Sequence, residues 1–233
     1  MANHVVQRID LAAHTASVVC TLPAAGKVAR GVAGYGVDAR FGPPSSGFAN
    51  IFFTVTALND AIYQTLADGT CKPFADLSQF GAPFGLTFTP NRSAMLVTVS
   101  PGEVVALPAT AKGLVLRITP DGKIDPKPVA GGLLRPAGID VAPSTFGSYG
   151  GQIFVADMGD IQVPVPASQA LKRDGKIYRV ARGGELKLVA SGFVNPAGVR
   201  FVGSHLWVTD INGDFIAGGR ELPDGFLVQI DPQ

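Results

Sequence analysis

Charged residues, cysteine and long hydrophobic runs are all scarce in this chain of 233 residues, and each scarcity excludes a class of protein. Lysine and arginine number 19 against 18 aspartate and glutamate, without a clustered positive excess, which argues against nucleic acid as a partner. No apolar run approaches the roughly 18 to 20 residues that a helix needs to cross a bilayer, so the sequence predicts no membrane span. The first ten residues lack a basic segment followed by a long apolar stretch, so we expect that a signal peptide was removed or never existed.

Only two cysteines are present, Cys20 and Cys71, which are too few for a disulfide framework. Two unpaired thiols in the core are the favoured interpretation, because free cysteine packs as a small hydrophobe. A single bridge between them is the alternative that the sequence leaves open.

The motifs of several catalytic classes are also missing. The three histidines, at positions 4, 14 and 205, show none of the spacings that are typical of a zinc site. No serine lies in a G-x-S-x-G run, and no glycine-rich phosphate loop joins a strand to a helix. Serine-hydrolase and nucleotide chemistry are therefore not indicated.

The sequence does contain a repeat. Four related segments recur at intervals of roughly fifty to sixty residues, and their shared glycine falls at positions 36, 85, 138 and 198. The segments are AGYGVDA, APFGLTF, RPAGIDV and NPAGVRF. Each consists of a turn, a glycine and a short run of apolar and β-branched residues, which predicts a strand.

Three more strand-like runs follow each glycine-anchored strand in a fixed order, so that each unit has strands a, b, c and d. Turn dipeptides join c to d at equivalent places, namely Asp68-Gly69, Asp121-Gly122 and Gly183-Gly184. In the second unit the run KPVA, from Lys127, is the predicted strand d. Four antiparallel strands repeated in tandem are typical of an all-β protein of the β-propeller class, and a sandwich would not restart one motif every fourth strand.

The two ends of the repeat are incomplete. Residues 4–21 match only a c–d hairpin, three units follow at about 33–75, 82–130 and 135–190, and 195–230 match a, b and c. The sequence therefore predicts a single propeller domain of seventeen strands in about four to five blades. The ring is expected to be incomplete or atypical, to have six blades if completed, or to complete itself by association.

One face of such a propeller gathers the d-to-a turns and the b-to-c loops, and the long b-to-c loops make it the expected binding face. Asp157 and Asp210 occupy the same position after strand b in two successive units. They could share a metal or act as acid and base, or each could cap its own turn by accepting backbone N–H groups. Further candidates for contact with a ligand follow in the loops, namely Asp160, Arg173, Asn212 and Arg220.

Polar residues also lie two positions after the repeat glycine, on the innermost strands. They are Asp38, Thr87, Asp140 and Arg200. A buried charge at such a place needs a partner, so we predict a structural ion pair between Asp140 and Arg200 of adjacent blades.

The repeat motif begins with P-x-G, continues with an apolar strand and is followed by IFVAD or LWVTD. It resembles the six-bladed propellers of the gluconolactonase / senescence marker protein group. It also resembles the related NHL-repeat and streptogramin-lyase-like propellers. The resemblance implies a divalent metal, usually calcium, at the central channel, where it polarises a lactone carbonyl and positions water. It also implies an Asn or Asp ligand at the x of P-x-G. Here those positions hold Phe84, Ala137 and Ala197, with Tyr35 in the worn first copy, so we expect the usual site to be missing.

Two functions follow as expectations. The first is a scaffold that binds a sugar- or lactone-like small molecule or a protein loop on an apolar, aromatic floor formed by Tyr35 and Phe84, with no catalytic site evident. The second is a lactonase-type hydrolase whose calcium ligands have moved to Asp157, Asp210 and Asn212. No cofactor is evident from the sequence, with calcium as the alternative, and self-association is a further possibility because of the unpaired strand ends. The resemblance alone favours an exported mature protein, with a cytoplasmic one as the alternative.

Overall fold

A computed structural model of the chain describes residues 5–22, 36–56, 60–66, 68–101, 111–159, 173–210 and 225–231. Seventeen strands form in this part of the chain, together with one 3₁₀ helix at Gly147–Tyr149. None of the helices among the described residues is long and apolar enough to cross a membrane. The strands are β1 Val5–Asp10, β2 Thr15–Thr21, β3 Gly36–Phe41, β4 Phe52–Thr56, β5 Ala61–Thr65, β6 Cys71–Asp76, β7 Ala82–Phe88, β8 Met95–Ser100, β9 Gly113–Ile118, β10 Ala130–Leu133, β11 Pro136–Val141, β12 Ile153–Asp157, β13 Gly175–Val180, β14 Leu186–Phe193, β15 Pro196–Val202, β16 His205–Asp210 and β17 Phe226–Ile230.

The strands pair only with their neighbours along the chain, always antiparallel, and form five separate sheets. We call the four-stranded sheets blade 1 (β3–β6), blade 2 (β7–β10) and blade 3 (β11–β14), and the three-stranded sheet β15–β17 blade 4. Strands β1 and β2 form a separate N-terminal hairpin. Sheets that repeat one motif and stack face to face define a β-propeller, which confirms the predicted fold class and the predicted count of strands.

The predicted c-to-d turns are confirmed by their backbone geometry. Gly69, Gly122, Gly183 and Gly184 all have positive φ angles, between 80° and 90°. An L-residue with a side chain is strained in that region, whereas glycine is not. The turn dipeptides therefore contain glycine because the backbone takes a positive φ at these turns.

One strand boundary in blade 2 was predicted wrongly. The fourth strand is β10, Ala130–Leu133, and not the run that starts at Lys127. Pairing with β9 begins where the Val129 N–H bonds the Val115 carbonyl, and Ala130 then lies opposite Val115. Prolines at 126 and 128 have no N–H to donate, so the ladder starts after them.

Hydrophobic side chains fill the space between successive sheets. Blades 1 and 2 share the largest cluster, which includes Phe48, Phe53 and Met95 at 0% exposure. A second cluster joins blades 2 and 3 through Leu96, Val115 and Val155, and a third joins blades 3 and 4 through Phe154, Ile177 and Leu206. Burial between sheets is thus the main stabilising contribution, since each buried side chain of this size contributes about 1.5 to 3 kcal/mol.

Two of the repeat glycines, Gly85 and Gly138, lie where the inner strands of neighbouring blades meet. A Cβ on Gly85 would lie 2.5 Å from the Ala137 carbonyl oxygen, and one on Gly138 would lie 2.5 Å from the Val199 nitrogen. Both obstacles are backbone atoms of the next blade, which cannot turn away as a side chain can. Glycine recurs at this position because the blades pack backbone against backbone around the centre.

The favoured interpretation of the cysteines as two free thiols was wrong. Cys20 of the hairpin and Cys71 of blade 1 form a disulfide, with their Cα atoms 5.8 Å apart. The hairpin packs on blade 1 through a small cluster that includes Val6, Leu22 and Tyr63, and this packing brings the two sulfur atoms together. Each sulfur also lies near the hydroxyl group of Thr65, at 3.5 and 3.6 Å.

Candidate functional site

The inner strands β3, β7, β11 and β15 bring five polar side chains together at the centre of the propeller. We call this set the channel cluster; its members are Asp38, Arg40, Thr87, Asp140 and Arg200. They come from all four blades, and each is at least partly buried. The inner edge of each blade has backbone groups that no neighbouring strand pairs, and such groups need other partners.

The two carboxylates of the channel cluster bind across blade boundaries. Asp38 accepts the Leu86 N–H at 3.0 Å and pairs with the Arg200 guanidinium at 2.5 Å. Asp140 accepts the Phe201 N–H at 2.9 Å and the Thr87 hydroxyl at 3.0 Å. Each carboxylate of one blade therefore satisfies a backbone donor of the following inner strand.

The two guanidinium groups act in the same way on backbone acceptors. Arg40 donates to the Leu86 carbonyl at 3.3 Å and to Asp140 at 3.4 Å. Arg200 donates to the Ile139 carbonyl at 3.1 Å. Burial lowers the pKa of Arg40, and the positive charge of Arg200 lowers it further, while Asp140 and Asp38 act in the opposite direction.

The predicted ion pair between Asp140 and Arg200 was wrong in its partners. Asp140 pairs with Arg40 of blade 1, and Arg200 pairs with Asp38 of blade 1. The prediction assumed that charges pair between adjacent blades. The carboxylate of Asp140 instead meets the backbone N–H of Phe201 on the neighbouring strand, so the side chain of Arg200 reaches across the centre to Asp38.

The two aspartates at the ends of b strands lie in matching positions. Asp157 lies opposite Pro136 in its sheet, and Asp210 lies opposite Pro196. Both residues are buried, at 4% and 6% exposure. The fold therefore holds both carboxylates within the wall of the face where the d-to-a turns lie.

Both carboxylates hold the d-to-a turn of their own blade. Asp157 accepts the N–H groups of Leu134 and Arg135 at 2.9 and 2.7 Å. Asp210 accepts those of Val194 and Asn195 at 3.0 and 2.6 Å. Asp157 Oδ1 also accepts the Gly159 N–H at 3.3 Å. This is the turn-capping arrangement, in which the carboxylate oxygens take backbone donors.

The x positions of the P-x-G motif carry no oxygen ligands on their side chains. Ala137 is buried at 3% exposure, and Ala197 is half-buried. Phe84 is half-buried too, yet it belongs to none of the hydrophobic clusters among the described residues. The central metal site that the resemblance implies does not fit these side chains.

Of the remaining predicted site residues, the structure describes only Arg173. Arg173 is exposed, just before β13. Tyr35, Asp160, Asn212 and Arg220 lie outside the described residues. Within the described ranges, no group of three or more His, Cys, Asp or Glu side chains is arranged to hold a metal ion.

Sequence reasoning missed Arg40 and Thr98. Arg40 lies two residues after Asp38, so the period of two along a strand would have placed both on the same face. Thr98 accepts the Gly85 N–H at 2.8 Å and donates to the Ala137 carbonyl at 2.5 Å. Thr209 accepts the Gly198 N–H at 2.8 Å in blade 4, so the recurrence of threonine near the end of strand b was the available signal.

No family model matches the chain, and no curated protein matches it. Solved structures match it in fold. A chain of a nidogen/laminin complex has a TM-score of 0.61 and 14% identity, over 90% of this chain and 68% of its own length. The calcium-binding protein regucalcin from Agrobacterium tumefaciens has a TM-score of 0.57 and 14% identity, over 99% of this chain and 72% of its own length.

These similarities support the fold class that the sequence predicted. Both matching structures are β-propellers, and they fit the group that the repeat motif resembles. At 14% identity the similarity shows the fold alone, since propellers carry many unrelated functions. The protein is therefore a β-propeller, and its function has to be argued from the site.

Proposed function

We propose that the protein is a binding scaffold, which holds a sugar- or lactone-like molecule or a protein loop on the face formed by the d-to-a turns and b-to-c loops. The observation that carries the proposal is Phe84. This side chain follows the d-to-a turn of blade 2, is half-buried and packs in none of the described hydrophobic clusters. A large aromatic surface near a rigid turn is suited to stacking on a sugar ring or an apolar side chain.

The aspartates support the proposal by holding that face in shape. Asp157 and Asp210 fix the turns of blades 3 and 4 through two backbone donors each. A turn that is ordered before binding loses less conformational entropy when a ligand arrives. Such preorganisation suits a recognition surface.

The channel cluster is assigned a structural role in this proposal. Each of its carboxylates has both a cationic partner and a backbone donor, and the formal charges of two aspartates and two arginines cancel. A general base needs an accessible lone pair and a substrate within reach. The cluster is instead suited to joining the blades.

The protein-loop form of the proposal is supported by one matching structure, in which nidogen is in complex with laminin. The small-molecule form is supported by the half-buried aromatic ring. We keep both forms because a preorganised face with one aromatic anchor suits either kind of ligand.

A lactonase-type hydrolase with calcium at Asp157, Asp210 and Asn212 is the second candidate. Two observations favour it, namely the matching register of the two aspartates and the calcium-binding regucalcin among the matching folds. Asp157 Oδ2 and the two oxygens of Asp210 each accept one N–H and still have a lone pair for a cation, whereas Asp157 Oδ1 accepts two. Calcium at this place would hold the lactone carbonyl oxygen.

Thermal unfolding separates the two candidates. An aldonolactone panel, calcium alone and both together are added to the protein, and hydrolysis is followed by acid release. The scaffold proposal expects one of the lactones or parent sugars to raise Tm without calcium, by roughly 5 to 10 °C at a hundredfold excess over Kd. A shift with calcium together with hydrolysis would instead establish the hydrolase. The absence of any shift would overturn both small-molecule candidates and leave the protein-loop form to be tested by pull-down.

Two phenylalanine variants make the test specific to the proposed face. Phe84→Ala is expected to remove most of the ligand-induced shift in Tm, because it removes the stacking surface. Phe41→Ala is the matched control, since Phe41 is 74% exposed at the other end of its inner strand. Equal loss in both variants would contradict the assignment of the binding face.

A further inference from the structure

One face of blade 4 has the composition of a blade interface and no described neighbour. Trp207 lies opposite Arg200 in the ladder, as Phe154 lies opposite Asp140 in blade 3. Leu227 lies opposite Thr209, as Ile177 lies opposite Ala156. Phe154 and Ile177 are buried against the following blade, at 1% and 0% exposure.

The corresponding side chains of blade 4 are less covered, since Leu227 is exposed and Trp207 is half-buried. Leu206 and Val208 pack towards blade 3, so strand alternation directs Trp207 to the opposite side. Val228 and Ile230 likewise pack towards blade 3, while Leu227 is 64% exposed. We call Trp207 and Leu227, with Thr209 between them, the forward face of blade 4.

The N-terminal hairpin carries the complementary half of a blade interface. Ile9 follows Arg8 in strand β1, as Ile118 follows Arg117 and as Val180 follows Arg179. Ile118 and Val180 are buried against the preceding blade, at 0% and 6% exposure. Ile9, by contrast, is 67% exposed, which makes it the unpartnered member of the series.

The hairpin is already held on its other side. Val6 and Cys20 face blade 1, and the disulfide to Cys71 joins the two sheets. Ile9 and Val18, which is 56% exposed, lie on the outward side. We call this pair the backward face of the hairpin.

We propose that the forward face of blade 4 binds the backward face of the N-terminal hairpin of a second copy. The occupant is argued from the register of Trp207, Leu227 and Ile9, whose counterparts in blades 2 and 3 bury each other at the interface between those blades. Val18 matches Leu188 of blade 3, which is 57% exposed, so Val18 does not carry the argument. A contact between two different faces of identical chains is heterologous, and it leads to a closed ring of copies or to a chain of them.

The first measurement is the mass in solution by sedimentation and light scattering over a range of protein concentrations. The proposal expects association that grows with concentration. Trp207 is the only tryptophan in the chain and lies on the forward face, so its emission should shift to the blue as association proceeds. A monomer at all concentrations, with unchanged emission, would overturn the proposal.

Two variants test the head-to-tail arrangement. Leu227→Glu and Ile9→Glu are each expected to weaken association roughly 100-fold, because each places a charge in one apolar face. Leu188→Glu is the matched control, since Leu188 is 57% exposed on another sheet. Circular dichroism checks that each variant keeps its sheet content.

Mixing the two variants gives the decisive result. Each variant retains one intact face, so the mixture should form a one-to-one dimer with a single interface, although neither variant associates alone. Association through two identical forward faces would be broken by Leu227→Glu and would persist in Ile9→Glu. That outcome would overturn the proposal, as would a mixture that remains monomeric.

Discussion

Replacing Gly138 by alanine is expected to lower the free energy of unfolding by about 3 kcal/mol or more, one of the largest effects of any single methyl group in this protein. The new Cβ would lie 2.5 Å from the Val199 nitrogen and 2.6 Å from the Ala197 carbonyl oxygen. Both atoms belong to the inner strand of blade 4. Relief would require blades 3 and 4 to separate, which would disturb the apolar cluster between them.

Urea denaturation of three variants measures this effect. Gly131→Ala is the matched control, because its Cβ would meet only the end of the Leu114 side chain, at 3.1 Å. Gly198→Ala should fall between the two, since its nearest obstacle is the hydroxyl group of Thr209 at 2.6 Å, and a side chain can rotate. Equal stability of Gly138→Ala and Gly131→Ala would show that the blades are not in contact at the repeat glycine.

Loss of the Cys20–Cys71 disulfide is expected to reduce stability by about 4 kcal/mol, from the entropy of a loop closed by a bond with a sequence separation of 51 residues. The hairpin pairs with no other strand among the described residues. Its remaining attachment is a small cluster with blade 1. The effect should therefore be concentrated in the hairpin, whose amide protons should exchange much faster.

The measurement compares the wild type with the double variant Cys20→Ala, Cys71→Ala, each with and without a dithiol reductant. The reductant should lower Tm in the wild type and leave the double variant unchanged. Hydrogen exchange should locate the change in β1 and β2, while β8 and β12 remain protected. Insensitivity of the wild type to the reductant, with free thiols by titration, would contradict the bridge.

The fold was predictable from sequence because glycine recurs wherever the repeat places a special demand on the backbone. Gly85 and Gly138 recur where only glycine allows two backbones to approach, and Gly69 and Gly122 recur where φ is positive. Because each of these constraints acts at a single position, it is visible in the sequence as a glycine at a regular interval. The strands and their order followed from that pattern.

The partners of side chains were less predictable, because they depend on how sheets stack. The separation of Cys20 from Cys71 is about one repeat, which is compatible with a bridge between stacked sheets and with two separate thiols. Asp140 could have paired with Arg200, but a backbone N–H next to Arg200 competes for the same carboxylate. The sequence contains no signal that decides the state of the cysteines or the partner of Asp140.

The sequence indicated Asp157 and Asp210 as candidates for a site and left their chemistry open. The recurrence of Asp157 and Asp210 indicated a shared role, and their backbone partners now support turn capping. The sequence could not distinguish capping from metal binding, because both require a carboxylate at the same place. The choice depends on hydrogen-bond donors that only the folded turns supply.

The inner strands of all four blades meet at the centre and are joined by the channel cluster. A double-mutant cycle on Asp38 and Arg200 tests it most directly, because these residues are 162 positions apart in sequence and touch only if blade 4 reaches blade 1 across the centre. Unfolding of Asp38→Asn, Arg200→Gln and the double variant is followed in urea. We expect a coupling energy of about 1 to 2 kcal/mol between the two side chains. Additive losses, with a coupling of zero, would contradict it.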